Sequence, residues 1–273
     1  MSLPRAAAIA GLFALAKELS GRKADSPRFA TPKLNGIRAM WVPGVGFFSK
    51  DGVAYEGGTL PVIEALLKNC VLFLDGELYV HGMSLQQINS IAGVVRNKPH
   101  ESNGLMQFHV FDTPHSASGF EARQHEILAH LNNINALGTW VQQVPWKLCS
   151  CERKMAAAHT AYVSAGYEGS VMKHPGGYIP GASTMMIKQK AWLDEDYEVV
   201  RLIQGKDGKY DHSMGAVVCR TKDGVEFEVG SFELTDDERL ALWCGTRPAY
   251  AKVKFLSLTD GKIPYNSRVI ALY

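Results

Sequence analysis

Apolar and polar positions alternate with different rhythms in the two parts of this 273-residue chain. Residues 6–16 form an apolar run after Arg5, in which Ile9, Leu12, Phe13, Ala16 and Leu19 recur at helical spacing. Lys17, Glu18, Arg22 and Lys23 follow, so the pattern predicts an N-terminal helix within 1–23. The competing reading is a secretory signal, because the run ends in Ala-Leu-Ala after a basic residue. Residues 24–26 read as a linker closed by Pro27. Residues 29–40 read as a strand, a tight turn at Asn35-Gly36 and a second strand. Strands are expected at 45–49, 71–74, 107–111, 171–173 and 185–190, and helices at 60–67, 85–95, 121–131 and 154–165. From residue 197 the rhythm becomes that of short strands, with turn signals at 205–208, 222–224 and 260–261. That length and spacing predict a five-stranded barrel of the OB type. The expected architecture is therefore α+β: a first domain, 1–192, of antiparallel sheets with flanking helices, then a barrel domain, 193–273.

Composition narrows the class. The chain is 46% hydrophobic and 21% charged, which supports a packed core rather than disorder. A net charge of +2 is too mild to argue for nucleic-acid binding by itself. The five cysteines form no CxxC pair, and Cys149 and Cys151 are too close for an easy bridge, which speaks for ordinary thiols in a reducing compartment. Outside 6–16, no segment approaches the roughly 18 apolar residues of a membrane span.

The candidate chemistry gathers around Thr31-Pro32-Lys33-Leu34-Asn35-Gly36-Ile37-Arg38. A lone lysine beside a turn is most often a solvated charge. Here a glycine permits close backbone approach to a ligand. A lysine attacks phosphorus only as the neutral amine, which burial or nearby cations favour. Lys188 and Lys190 lie two apart on an expected strand and so share a face. Two such cations repel unless they share an anion, which a triphosphate would supply. Glu77 and Glu168 each lie next to a glycine and could hold magnesium or a ribose hydroxyl. Phe111 could stack on a base.

The order of these segments resembles the covalent nucleotidyltransferase superfamily of ATP-dependent DNA ligases, RNA ligases and capping enzymes. Residues 29–38 resemble the nucleophile motif of small viral and bacterial DNA ligases. Phe73-Leu74-Asp75-Gly76-Glu77 resembles the third motif, Phe108-His109-Val110-Phe111-Asp112 the stacking motif, Tyr167-Glu168-Gly169-Ser170-Val171-Met172-Lys173 the fourth and Met186-Ile187-Lys188-Gln189-Lys190 the fifth. The resemblance spans roughly 29–190 and implies an ATP-dependent DNA ligase that seals nicks in duplex DNA. It implies Lys33 as nucleophile, Lys188 and Lys190 at the α-phosphate, and Thr31 and Phe111 on adenine. It implies Arg38 and Glu77 at the ribose, Lys173 as a further nucleotide contact, and Glu168 with Glu77 near Mg2+ or Mn2+. Ser49 and Lys50 fall where the family reads the nick 5′-phosphate.

Two departures stand out. Asn35 occupies a position where the motif carries aspartate, and an amide adds no negative charge near a metal. The basic C-terminal motif has only Lys262 and Arg268 as stand-ins. The departure at Asn35 leaves room for an RNA ligase, and GTP preference would mark a capping guanylyltransferase. A non-catalytic nick-binding module is the reading from another class. Arg96, Lys98, Lys206, Lys209, Arg220 and Lys222 are scattered candidates for a DNA face. The expected partner is nicked duplex DNA, bound by a monomer with no membrane association, in the cytoplasm of a bacterial or phage-infected cell. A cleaved signal would instead place it in the periplasm.

Overall fold

A computed structural model describes residues 6–18, 27–55, 58–93, 98–206, 208 and 210–273. The chain divides into two units, Met1–Lys190 and Ala191–Tyr273. The expected linker at 24–26, together with Arg5, Leu19, Arg22, Lys23, Arg96 and Lys209, lies outside the described residues.

The first unit holds strands β1 (Ala14–Glu18), β2 (Arg28–Lys33), β3 (Ile37–Val42), β4 (Gly46–Ser49), β5 (Leu74–Tyr79), β6 (Gln107–Asp112), β7 (Val141–Gln143), β8 (Lys147–Cys149), β9 (Gly169–Lys173) and β10 (Gly181–Lys190). Its helices are α1 (Ala6–Ala10), α2 (Pro61–Leu67), α3 (Leu85–Ala92), α4 (Phe120–Asn133) and α5 (Glu152–Ser164). The strands make two five-stranded sheets, ordered β1-β10-β9-β2-β8 and β4-β3-β5-β6-β7. Pairing is antiparallel except at β1/β10 and β6/β7.

Burial follows the sequence rhythm. Along β6, Phe108, Val110 and Asp112 are buried while Gln107, His109 and Phe111 are partly open, as period-two alternation requires. On α4, Phe120, Arg123, Gln124, Ile127 and Leu131 make one buried stripe. The main core fills the second sheet around Phe47, Leu74, Leu78 and Phe108. A smaller cluster joins α5 to the first sheet through Ala30, Met155, Ala158 and Met172. The helix α3 begins at a capping box in which Ser84 and Gln87 satisfy each other's backbone amides.

Three expectations for this unit are corrected. The N-terminal helix stops at Ala10, and Ala14–Glu18 is a strand parallel to β10. Ile9 and Phe13 are buried as the apolar stripe implied, but Gly11 is a weak helix residue and the turn there breaks the stripe. The second correction concerns Asn35-Gly36. The flanking strands do not pair with one another: β2 joins the first sheet and β3 the second. Third, Asp75 and Glu77 lie inside β5 rather than beyond its end.

The second unit contains β11 (Leu193–Gln204), β12 (Met214–Arg220), β13 (Glu226–Val229), α6 (Asp236–Cys244), β14 (Tyr250–Phe255), β15 (Ser257–Leu258), β16 (Pro264–Tyr265) and β17 (Arg268–Leu272). Five strands form an antiparallel sheet in the order β13-β12-β11-β14-β17. Its hydrogen-bonded ladder does not close into a barrel. Just past β13, however, Val269 of β17 donates to Ser231 O and accepts from Glu233 N, both at 2.8 Å. Tyr197, Val217, Phe227, Val253 and Phe255 form the core. The expected run of strands omitted α6, although Thr235 and Glu238 form a capping box with Asp236 and Asp237 in the first turn. No helix among the described residues is long and apolar enough to cross a membrane.

Candidate active site

The octet around Lys33 bridges the two sheets of the first unit. Lys33 ends β2, and Arg38 is the second residue of β3. Gly36 makes the crossing possible, because a Cβ there would overlap the Leu78 carbonyl oxygen. Residues of both sheets line a cavity of about 490 Å³ beside this crossing, within the range of pre-formed ligand pockets. Lys33, Arg38, Lys50, Lys173, Lys188 and Lys190 line it, with Glu77, among the described residues, as its single acid. Leu15, Ala16, Pro32, Phe111, Val171 and Met186 add apolar wall. A strongly cationic cavity with an aromatic side suits a polyanion bearing a flat apolar group.

Glu168 ties the nucleophile candidate to its neighbours. Its carboxylate pairs with Lys33 Nζ and, at 3.5 Å, with Lys190 Nζ. Its backbone amide donates to Lys33 O at 3.2 Å, so the end of β2 and the start of β9 are joined twice. Gly169 next to it sits at φ 153° with Gln189 O against the position of any Cβ, a place only glycine fills. Burial lowers the pKa of Lys190, Lys33 and Lys188 lower it further, and Glu168 opposes them. Lys188 lies 3.9 Å from Glu18 on β1.

A second anchor was not singled out from sequence. Asp75 is fully buried and receives Arg38 Nε at 2.7 Å and Arg38 NH2 at 2.6 Å. Burial works against the Arg38 charge, but Asp75 outweighs it and raises the guanidinium pKa. The signal was present: Asp75 and Glu77 are two apart on one strand and therefore share a face. Glu77 has no such clamp. Burial raises its pKa to about 7, against the pull of Arg38 and Lys33. The Phe111 ring lies 4.5 Å from the Arg38 guanidinium and 4.7 Å from Lys173 Nζ. Lys173 Nζ donates to Phe111 O at 2.9 Å and to Asp112 at 3.3 Å. Asp112 is in turn held by Arg123 Nε at 2.6 Å. Burial opposes the Asp112 charge, yet Lys173 and Arg123 hold its pKa below the usual carboxylate range.

The cavity brings together nine of the sequence-derived candidates: Thr31, Lys33, Arg38, Lys50, Glu77, Phe111, Lys173, Lys188 and Lys190. Glu168 reaches it through its two ion pairs. Thr31 Oγ1 donates to Val171 O at 3.3 Å. Asn35 and Ser49 do not line it. The Ser49 hydroxyl instead accepts from Asp51 N at 3.3 Å and Val53 N at 3.2 Å, closing the turn after β4. Lys262 and Arg268 belong to the second unit and are paired with Asp223 and Glu233. Arg220 and Lys222, candidates for a DNA face, pair with Glu198, Glu226 and Glu195. Among the described residues no group of three or more His, Cys, Asp or Glu is arranged to hold a metal ion.

No family model matches the chain. In sequence it is similar to the DNA ligase of African swine fever virus, isolate Tick/Malawi/Lil 20-1/1983, at 30% identity over 239 residues. That match covers 81% of this chain and 55% of the viral protein, so the chain spans about half the length of the curated relatives it matches. In structure it is similar to a Lig E DNA ligase, with a TM-score of 0.79 and 23% identity over 95% of this chain and 98% of the other. It also matches a Chlorella virus DNA ligase-adenylate (TM-score 0.54, 20% identity, 95% and 97% covered). The ATP-dependent DNA ligase of bacteriophage T7 in complex with ATP follows (TM-score 0.51, 13% identity, 95% and 98% covered). The chain thus resembles DNA ligases in sequence and has the mixed α+β fold of the ATP-dependent DNA ligases.

Proposed function

We propose that the chain is an ATP-dependent DNA ligase of the covalent nucleotidyltransferase superfamily, acting on nicked duplex DNA. The observation that carries this reading is Lys33 at the wall of a cationic cavity, paired with Glu168 and flanked by Lys190. Lys33, once deprotonated, attacks the α-phosphorus of ATP. A nitrogen–phosphorus bond forms, the bond to the β-phosphate oxygen breaks, and pyrophosphate leaves. The AMP then passes to a DNA 5′-phosphate, and attack by the adjoining 3′-hydroxyl closes the phosphodiester and releases AMP.

The other side chains position and stabilise. Lys188 and Lys190 face charge that builds on the α-phosphate, the electrostatic contribution that dominates such transfers. Phe111 and Thr31 take the adenine, Glu77 and Arg38 the ribose, and Lys173, which lines the cavity 4.7 Å from the Phe111 ring, adds a further nucleotide contact. Glu168, released from Lys33 when that amine is neutral, and Glu77 would hold Mg2+ or Mn2+. Magnesium normally takes one or two carboxylates plus phosphate oxygens, so two acids without a third fit an ion shared with the nucleotide. When bound, the ion would neutralise phosphate charge.

In this reading 1–192 is the adenylation domain and 193–273 an OB-type domain. The pairing of Val269 with residues 231 and 233, which brings the two sheet edges together, supports the barrel assignment. Lys50, exposed at the cavity, contacts the nick 5′-phosphate, and Ser49 shapes its turn. Lys262 and Arg268 stand in for the basic C-terminal motif, with their present acidic partners as competitors.

Incubation with α-labelled ATP and Mg2+ is expected to label the protein covalently, and Lys33→Ala to abolish the label. A labelled wild type should then seal a nicked duplex. Absence of a wild-type adduct with ATP would refute the reading.

A further inference from the structure

The strand β1 lies at the edge of its sheet, with β10 as its one partner in the ladder. Edge strands held from one side open readily. Yet Leu15 and Ala16 of this strand form part of the cavity wall. Beyond the ladder with β10, the backbone of Ala14 fixes them. Its N–H donates to the Tyr178 hydroxyl at 2.8 Å, and its carbonyl accepts from Arg38 NH2 at 3.1 Å. Tyr178 passes the connection on, donating its own hydrogen to Asp75 Oδ2 at 2.7 Å. Asp75 is the carboxylate that clamps Arg38. The four groups close a ring: Ala14, Tyr178, Asp75, Arg38. Burial, and then Asp75, push the Tyr178 pKa upward, so the hydroxyl remains a donor across the ordinary pH range.

Tyr178 does not line the large cavity. It reaches the site only through the atoms it holds. We infer that Tyr178 is a positioning residue whose hydroxyl locks β1 onto the Asp75–Arg38 pair, so that Leu15 and Ala16 complete the nucleotide pocket. The inference rests on the nucleotide-binding reading above and deepens it. Removing the hydroxyl leaves Asp75 one donor short and frees the Ala14 amide. The wall formed by β1 then samples open positions, and nucleotide binding bears the cost of closing it.

The test is Tyr178→Phe, which keeps the ring and removes one oxygen. In self-adenylylation the KM for ATP should rise about tenfold, the worth of a hydrogen bond to a charged group, while kcat stays within about twofold. Amide hydrogen exchange should accelerate at Ala14 by a similar factor and stay unchanged at the strand partners Met172 and Ala30 in the same sheet. An unchanged KM in a labelling-competent protein overturns the inference, as does a fall in kcat and melting temperature with KM unaltered. Should the wild type take no label at all, the ligase reading falls. Exchange at Ala14 then decides the latch alone: acceleration in Tyr178→Phe upholds it, and no change overturns it.

Discussion

The two units carry similar kinds of charged residue and use them in opposite ways. In the first unit Asp75, Asp112, Arg123 and Lys173 are almost completely buried and joined in specific pairs. In the second, ion pairs lie along an exposed sheet surface, as in Lys222–Glu195 and Arg201–Glu226–Arg220. Burying an ion pair costs several kcal/mol of desolvation that its own attraction barely offsets. Exposed pairs cost little and contribute little. The buried network is therefore poorly explained as a stabilising device. It holds Arg38, Phe111 and Lys173 in fixed geometry around the cavity, which is the service a site needs. The exposed ladder suits a water-facing surface, and its acids compete with any polyanion that approaches the neighbouring lysines and arginines.

This contrast can be broken from either end. The largest effect is expected for Asp75→Asn, which leaves the Arg38 charge without its counter-ion. Unfolding in urea should show a loss of about 3 kcal/mol, and adenylylation should fall more than about a hundredfold. Next comes Arg123→Met, which removes two donors from Asp112 and leaves Lys173 its remaining ionic partner. A loss of about 2 kcal/mol is expected. Full labelling activity per folded molecule in this variant would show that the network behind Phe111 is only structural.

A smaller effect follows from Glu77. Its folded pKa is raised to about 7 from 4.5. The folded state therefore favours the protonated acid. The associated stability is present below about pH 4.5 and is lost as pH rises towards 7. Relative to Glu77→Gln, the wild type should lose stability between pH 5 and pH 8 when urea midpoints are compared. Its labelling rate should carry a pH-dependent limb that the variant lacks. The smallest effect is expected for Lys222→Ala in the exposed ladder. The melting midpoint should move by no more than about 2 °C, and the difference should shrink in 1 M salt.

Much of the candidate site was legible because its residues are carried by local signals. Lys33 lies three positions before Gly36, Glu168 precedes Gly169, and Lys188 and Lys190 are two apart on one strand, and these local spacings bring them to one cavity or its edge. Pairings across long sequence separation were not legible. Asn35-Gly36 gives the usual signature of a hairpin, but the partners of β2 and β3 lie elsewhere in the chain, so the turn joins two sheets. Residues 14–18 are alanine-rich and looked helical, yet their pairing with β10, more than 160 residues away, overrides that preference. Asp75 was given no role of its own because its value comes from Arg38 and Tyr178, which only the fold brings to it. The helix α6 is a different case. Its capping box was visible in Thr235-Asp236-Asp237-Glu238, and the surrounding strand rhythm obscured it.

The crossing at Gly36 sets a rule for tampering with the chain. Between Lys33 on one sheet and Arg38 on the other run four residues, with no slack and no room for a methyl group at the crossing point. The separation of amine and guanidinium is therefore metered by chain length, as by a strut of fixed span. A single inserted residue would add up to about 3.5 Å and put the strands out of step with their sheets. Grafting the octet onto another scaffold would work only as a block, with both receiving sheets copied along with it.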